Sequence, residues 1–137
     1  MHFFECLLFI KDEYIYVPEV IGSKIEGNER FGNKFINETL LKERILTDYR
    51  EKYFQFSKIN SYVSENIKKD VKRIVRALGI TSFTRFDLRI DDSFSYYFND
   101  LGSIPGILPD SSYSYLFNIN GLSYEDFIIT TIILDNY

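Results

Sequence analysis

The segment from Ser61 to Leu78 is the feature of this chain that most constrains its fold. Apolar residues recur there every three or four positions, and charged residues occupy most of the positions between them. This spacing puts the apolar side chains on one face of an α-helix, and Gly79 follows where helices often end in a left-handed residue. A helix with one apolar face has to pack on a second layer. The residues expected to make that contact are Val63, Ile67, Val71, Ile74, Val75 and Leu78.

The residues before this helix have the composition of strands followed by a loop. Phe3–Ile10 and Tyr14–Val20 are rich in strand-forming residues, and a short polar segment separates them, which predicts a β-hairpin. Residues 22–46 begin as a polar, Gly- and Asn-rich stretch. They are expected to form a long surface loop or insertion, with a short helix near Glu38–Ile45.

Two strands and a last helix are predicted after Gly79. Thr81–Ile90 alternates between apolar and polar residues, and Phe94–Asp100 is expected to pair with it. A helix is expected from about Tyr124, with Ser123 as its cap and Asp126 three residues later. The predicted fold class is α+β, a mostly antiparallel sheet with flanking helices.

Length and composition limit the classes of protein to which the chain can belong. A chain of 137 residues, 45% of them hydrophobic, is expected to form a single domain over residues 1–137. The formal net charge of −4 argues against a nucleic-acid partner, because such binders need clustered Lys and Arg. The sequence has no apolar run of about 18 residues, so we expect no membrane span.

The single cysteine, Cys6, lies within an apolar run and has no partner for an internal disulfide. This fits a reducing compartment, and a cytoplasmic location is expected. A buried structural thiol is favoured over a nucleophile, because the only histidine, His2, stands at the start of the chain. No basic segment precedes the first apolar run, so a signal peptide is not expected.

Charged residues in the second predicted hairpin could form a functional site. Arg85 and Asp87 share one face of their strand, because alternate strand residues point to the same side. The next strand ends at Asp100 and leads directly into the Gly-containing loop 102–106. Two carboxylates and an arginine beside such a loop could hold magnesium and a phosphate. The alternative is a surface charge pair without a ligand.

The geometry of the turn decides between these two interpretations. A hairpin centred between Ser93 and Phe94 would put Asp87 directly opposite Asp100, within reach of a shared ion. A two-residue turn at Asp91-Asp92 would instead separate the two carboxylates by about four residues. The sequence lacks the Asn-Gly or Asp-Gly that favours a tight turn, so the longer loop is predicted.

Several motifs resemble the C-terminal part of D-alanine–D-alanine ligases, which are ATP-grasp enzymes. Arg85-Phe86-Asp87 stands thirteen residues before Asp100, and the segment Leu101–Ser111 follows with a Pro-Gly turn and a serine. Asp48–Tyr53 resembles the family's Asp-Tyr-x-x-Lys-Tyr motif, and Gly121–Tyr124 resembles the segment before its last helix. The similarity covers most of residues 5–137, except the segment 22–46.

The resemblance implies residues for ATP and magnesium. Lys52 would neutralise a phosphate, and Glu5 matches a glutamate that the family uses to bind ATP. Asp87 and Asp100 would ligate magnesium, which bridges phosphate oxygens during phosphoryl transfer. ATP and Mg²⁺ are therefore the expected cofactors.

The resemblance also implies residues for the joining of two amino acids. The reaction proceeds through an acyl phosphate, which the amine of a second amino acid attacks. Arg85 and the backbone N–H of Gly106 would stabilise the resulting oxyanion. Ser111 would hold the carboxylate of the second substrate. The implied partners are thus a nucleotide and a small amino acid.

The chain departs from the family's pattern in three ways. Asp100 stands where the family has a metal-binding glutamate, and Gly102 stands where it has an asparagine ligand. The family's N-terminal and central parts have no counterpart in the sequence, so the chain alone is expected to be incomplete and inactive. Two alternatives are a non-catalytic binding module and a subunit that completes its ATP-grasp site with a partner chain.

Overall fold

The computed structural model describes residues 2–23, 53–102, 107–109 and 111–136. Most of the expected loop 22–46 lies outside the described residues, as does the helix predicted near Glu38–Ile45. Lys52 and Gly106 also lie outside them. Among the helices that are described, none is both long enough and apolar enough to cross a membrane.

The described part of the chain is built on one antiparallel sheet, whose strands are β1 (His2–Lys11), β2 (Tyr14–Tyr16), β3 (Val20–Ser23), β4 (Tyr53–Gln55), β5 (Thr84–Ile90) and β6 (Tyr96–Gly102). The strand order is β4-β3-β1-β5-β6, and β2 pairs with β1 next to β3. Every strand pair is antiparallel. The predicted α+β class, with a mostly antiparallel sheet and flanking helices, is confirmed.

Three α-helices are present among the described residues: α1 (Ser61–Leu78), α2 (Ser112–Ile119) and α3 (Tyr124–Asn136). The predicted bounds of α1 are confirmed. The side chain of Asn60 caps its first turn by accepting a hydrogen bond from the backbone N–H of Val63 at 3.0 Å. Gly79 ends it with φ of +68°, a left-handed conformation that glycine adopts without a steric penalty.

Helix α1 packs its apolar face on one side of the sheet, as predicted. Ile67, Val71 and Val75 are buried against apolar residues of β1 and β5. Leu78 was expected to join this contact and does not, because its side chain is 62% exposed in the last helical turn. Ile80, which follows the glycine cap, packs against that core instead.

The first hairpin differs from its prediction after β2. The predicted strand Tyr14–Val20 is broken at Pro18, which has no N–H to donate to a strand ladder. Gly22 and Ser23 were assigned to the loop but form the end of β3. A Cβ atom at Gly22 would lie only 2.2 Å from the Phe54 ring, so glycine is needed there by close packing and does not mark a turn.

The second hairpin has a longer loop than its predicted strand ends imply. The side chain of Asp91 accepts hydrogen bonds from two backbone N–H groups of the loop, each at 2.9 Å. Phe94 was expected to begin the strand, but it has φ of +65° and lies in the turn. Strand β6 therefore begins two residues later, at Tyr96, and continues to Gly102.

Helices α2 and α3 cover part of the other face of the sheet. Their contact is an aromatic cluster around Tyr113, Phe117 and Phe127, packed on Leu7 and Phe83. Helix α2 was not predicted from the sequence, whereas α3 begins at Tyr124 as expected. The sheet is therefore enclosed by α1 on one face and by two helices on part of the other.

Candidate functional site

Three carboxylate residues lie side by side across the middle of the sheet. Glu5 of β1 is paired with Asp87 of β5, and Asp87 is paired with Asp100 of β6. Directly paired residues point to the same face, and neighbouring strands are about 4.8 Å apart. These three residues, the carboxylate row, lie on the face opposite α1. Glu5 and Asp87 are buried, and Asp100 is exposed.

A β-bulge in β6 brings Asp100 into the carboxylate row. Leu88 is paired with Phe98, and the next pair along is Asp87 with Asp100, so Asn99 is an extra residue in β6. Without this extra residue, Asp100 would point towards α1, because successive strand residues alternate between faces. The predicted pairing of Asp87 with Asp100 is confirmed, although it is reached through a five-residue loop and a bulge.

Arg85 makes a two-point ion pair with Asp87 on the same strand face. Its Nε donates to Oδ1 of Asp87 at 2.8 Å, and its second terminal nitrogen donates to Oδ2 at 3.3 Å. Burial alone would lower the pKa of the Arg85 guanidinium, but the charges of Glu5 and Asp87 raise that pKa above its ordinary value. The guanidinium therefore stays charged within the site.

Gly102 lies directly across the hairpin from Arg85. Its carbonyl accepts a hydrogen bond from Oγ1 of Thr84 at 2.8 Å, which fixes the end of β6. A Cβ atom added at Gly102 would lie 3.6 Å from a terminal nitrogen of Arg85, an ordinary van der Waals distance. The guanidinium therefore lies over the backbone of Gly102, in the direction in which a side chain would project.

Ser111 caps the N-terminus of α2. Its hydroxyl accepts a hydrogen bond from the backbone N–H of Ser114 at 3.3 Å, and its own N–H donates to the carbonyl of Leu108 at 3.0 Å. The N–H groups and the dipole at the start of a helix attract negative charge. This position is compatible with the carboxylate-binding role that the family resemblance implies for Ser111, and that role stays a prediction.

Tyr113 fixes α2 to the strands that carry the site, and the sequence had not singled it out. Its buried hydroxyl accepts a hydrogen bond from the backbone N–H of Leu8 at 3.1 Å and contacts the carbonyls of Leu8 and Thr84. Burial raises the pKa of Tyr113 well above its ordinary value, so the hydroxyl keeps its proton. The only signal in the sequence was the aromatic density of Tyr113–Phe117.

The donor groups have the chemistry for at most one magnesium ion, and its binding here stays a prediction. Asp87 and Asp100 supply the one or two carboxylates that magnesium prefers alongside water and phosphate oxygens. Gly102 supplies no side chain, and both oxygens of Asp87 already accept hydrogen bonds from Arg85. Within the described ranges, no group of three His, Cys, Asp or Glu residues is arranged to hold a metal ion.

The remaining candidate residues have separate outcomes. Glu5 stands in the carboxylate row, next to the ion pair of Arg85 and Asp87. Lys52 and Gly106 lie outside the described residues, so their roles stay predictions. Cys6 is fully buried on the α1 face, and burial raises the pKa of its thiol to about 12. The expectation of a buried structural thiol is confirmed.

Comparisons with known proteins agree on one family. The sequence model of the family described as D-ala D-ala ligase C-terminus matches residues 9–133. A D-alanine–D-alanine ligase of Wigglesworthia glossinidia brevipalpis is 28% identical over 131 residues, which cover 88% of this chain and 37% of that protein. The chain therefore spans little more than a third of the length of this relative.

Two solved structures have the same fold as this chain. The D-alanine–D-alanine ligase of Bacillus anthracis, solved in complex with ATP, gives a TM-score of 0.54 at 16% identity, covering 97% of this chain and 36% of that one. The D-alanyl-alanine synthetase A of Vibrio cholerae gives 0.56 at 17% identity, covering 98% and 39% respectively. At these identities the likeness establishes the fold alone.

Proposed function

The chain belongs to the D-alanine–D-alanine ligase family, whose C-terminal part it matches, and on this premise we propose that it forms one side of an ATP-dependent ligase site. That side holds the metal-bound phosphates of ATP and the second amino acid. The observation that carries the proposal is the carboxylate row of Glu5, Asp87 and Asp100, with Arg85 beside it. The cytoplasmic location expected from the sequence is part of this proposal.

The chemistry proposed for each residue follows from its charge and position. Magnesium held by Asp87 and Asp100 would neutralise phosphate oxygens of the nucleotide. Arg85, which stays charged, lies close enough to the row to stabilise negative charge that develops when the amine attacks the acyl phosphate. Ser111 and the start of α2 would bind the carboxylate of the attacking amino acid.

The remainder of the site would come partly from other residues of this chain and partly from outside it. Lys52 is proposed to bind a phosphate of ATP, and the backbone N–H of Gly106 to stabilise the oxyanion. Surfaces for the adenine ring and the first amino acid have no counterpart in this sequence, so they would be supplied by a longer form or a partner chain. The family match over residues 9–133 favours a ligase part over a non-catalytic binding module.

Binding of a magnesium–nucleotide complex tests this proposal directly. A non-hydrolysable ATP analogue is titrated with Mg²⁺ into the isotope-labelled chain, and binding is followed through backbone NMR shifts. We expect shifts in β5 and β6, and an affinity about tenfold weaker for Asp87→Asn because a carboxylate beside the ligand is lost. The matched control is Asp12→Asn, since Asp12 lies in an exposed turn with φ of +54° that asparagine also tolerates. Equal weakening by both variants, or none by Asp87→Asn, would contradict the proposal.

A further inference from the structure

The ion pair of Arg85 and Asp87 occupies the carboxylate that a metal ion would need most. Asp87 is the central member of the carboxylate row, and it is buried between Glu5 and Asp100. Both of its oxygens accept N–H groups of the Arg85 guanidinium, at 2.8 and 3.3 Å. A divalent cation that binds Asp87 therefore has to compete with a positive charge that is already in place.

Gly102 gives the guanidinium room to stay there. The guanidinium lies over the Gly102 backbone, where a side chain at that position would project. A Cβ atom would fit at 3.6 Å from the terminal nitrogen, but a longer side chain would have to share this space with Arg85. The position of the Arg85 guanidinium therefore depends on the absence of a longer side chain at residue 102.

We infer that Arg85 serves as a built-in cation at Asp87 and takes the place of one divalent metal ion. Arg85 places a positive charge on the central carboxylate of the row, at the oxygens where a divalent ion would bind. The inference rests on the proposed function only in identifying the row as the nucleotide-binding site. Competition between Arg85 and a metal ion is a property of the chain without nucleotide.

Binding of Mn²⁺ to the nucleotide-free chain, measured by electron paramagnetic resonance, tests the inference. We expect weak binding to the wild type and binding about tenfold tighter or more in Arg85→Gln, because the Arg85 guanidinium then no longer competes for the oxygens of Asp87. Arg89→Gln is the control for general loss of one positive charge, since Arg89 lies on the same strand two residues away. It should tighten Mn²⁺ binding by about threefold at most, because its partner Tyr97 is three residues from Asp100 along β6, whereas the partner of Arg85, Gly102, is two residues away.

Further variants assign the effect to Asp87 and guard against misfolding. The double variant Arg85→Gln/Asp87→Asn should lose the gain in affinity. Arg85→Lys keeps the charge without the two-point contact and should give an intermediate affinity, so it carries the test if Arg85→Gln does not fold. Gly102→Asn should also tighten binding, by moving the guanidinium or adding an amide ligand, whereas Gly102→Ala should not.

The inference is overturned if Mn²⁺ binds the wild type as tightly as Arg85→Gln and Arg85→Lys. It is also overturned if none of these proteins binds Mn²⁺, or if the gain survives in Arg85→Gln/Asp87→Asn. Because no nucleotide is present, a failure to bind the ATP analogue would count against the proposed function and leave this result unaffected. Competition by Arg85 and binding of nucleotide are thus judged by separate measurements.

Discussion

For single residues, the sequence predicted which polar side chains share the site better than it predicted the contacts that these side chains make. Arg85 and Asp87 were assigned to one strand face by simple alternation, and they lie there. A charge pair on this hairpin was the alternative interpretation, but its two-point geometry was not predicted, because alternation gives the face of a residue and not the rotamer of its side chain. Tyr113 was missed for a related reason. Its hydroxyl bonds backbone groups of two strands that lie far from Tyr113 in the sequence, and such a contact leaves no local pattern.

The buried thiol of Cys6 should make the folded state sensitive to alkali. Burial raises its pKa from 9.0 to about 12, so above pH 9 the unfolded chain loses this proton while the folded chain keeps it. Below the pKa of the thiol in the unfolded chain, the free energy of unfolding should not depend on this group. As the pH rises above that pKa, the free energy of unfolding should fall. The expected loss between pH 8 and pH 10 is about 1.4 kcal/mol. Urea unfolding at both pH values measures it.

Cys6→Ala is the matched variant for this pH dependence. The variant should be less stable than the wild type because a buried side chain becomes smaller. Between pH 8 and pH 10, however, its free energy of unfolding should fall by less than that of the wild type. Tyr113 contributes to the alkaline loss mainly above pH 10, the ordinary tyrosine pKa. Equal losses in wild type and variant over this range would refute the assignment to Cys6.

Helix α1, which has the strongest local signal in the sequence, was predicted with correct bounds. Helix α1 has apolar periodicity over its whole length and a glycine at its end, and both signals depend only on neighbouring residues. Helix α2 lacks such periodicity because six of its eight residues, Ser112–Phe117, are buried. A helix enclosed on most sides cannot be recognised from an amphipathic pattern.

The second hairpin shows the limit of predicting strand register. The pairing of Asp87 with Asp100 was predicted from a symmetrical turn, and the structure reaches it through a longer loop and an extra residue at Asn99. The loop end is shifted because Asp91 caps it through two hydrogen bonds. The bulge compensates for that shift, and neither feature has a distinct residue signature.

The cap of α1 offers a test of how much the local signal contributes to stability. Asn60→Ala removes the hydrogen bond from the side chain to the backbone N–H of Val63. The expected loss in the free energy of unfolding is about 1 kcal/mol, the usual value for an N-cap. Lys69→Ala, an exposed change within the same helix, should alter stability by less than about 0.5 kcal/mol.

Both variants are compared by urea unfolding at neutral pH, with the dependence on denaturant checked for two-state behaviour. A loss for Asn60→Ala no larger than that for Lys69→Ala would mean that α1 is held by packing on the sheet, and that its cap adds nothing measurable. Packing of Ile67, Val71 and Val75 on the sheet would then be sufficient to hold the helix.

At the scale of the whole molecule, the described surface is compatible with a site completed elsewhere. Helix α3 is apolar on most of its sides, and Ile129, Ile132 and Ile133 remain about half exposed. Apolar surface of this kind commonly marks a contact with another domain or chain. The carboxylate row also ends at an exposed residue, Asp100, on the outer strand of the described sheet.

The chain alone is therefore expected not to join D-alanine to D-alanine at a measurable rate. Ligation requires ATP held on both sides, one amino acid placed for phosphorylation and another placed for attack, and such positioning supplies several kcal/mol of the barrier reduction. In a half-open site, charge that develops near Arg85 is screened by water, so the arginine stabilises it far less than in an enclosed site. Phosphate release from ATP with D-alanine present measures the activity, and Arg85→Ala shows whether any release depends on this site. Turnover by the wild type that disappears in Arg85→Ala would make the 137-residue chain a complete enzyme and contradict the expectation.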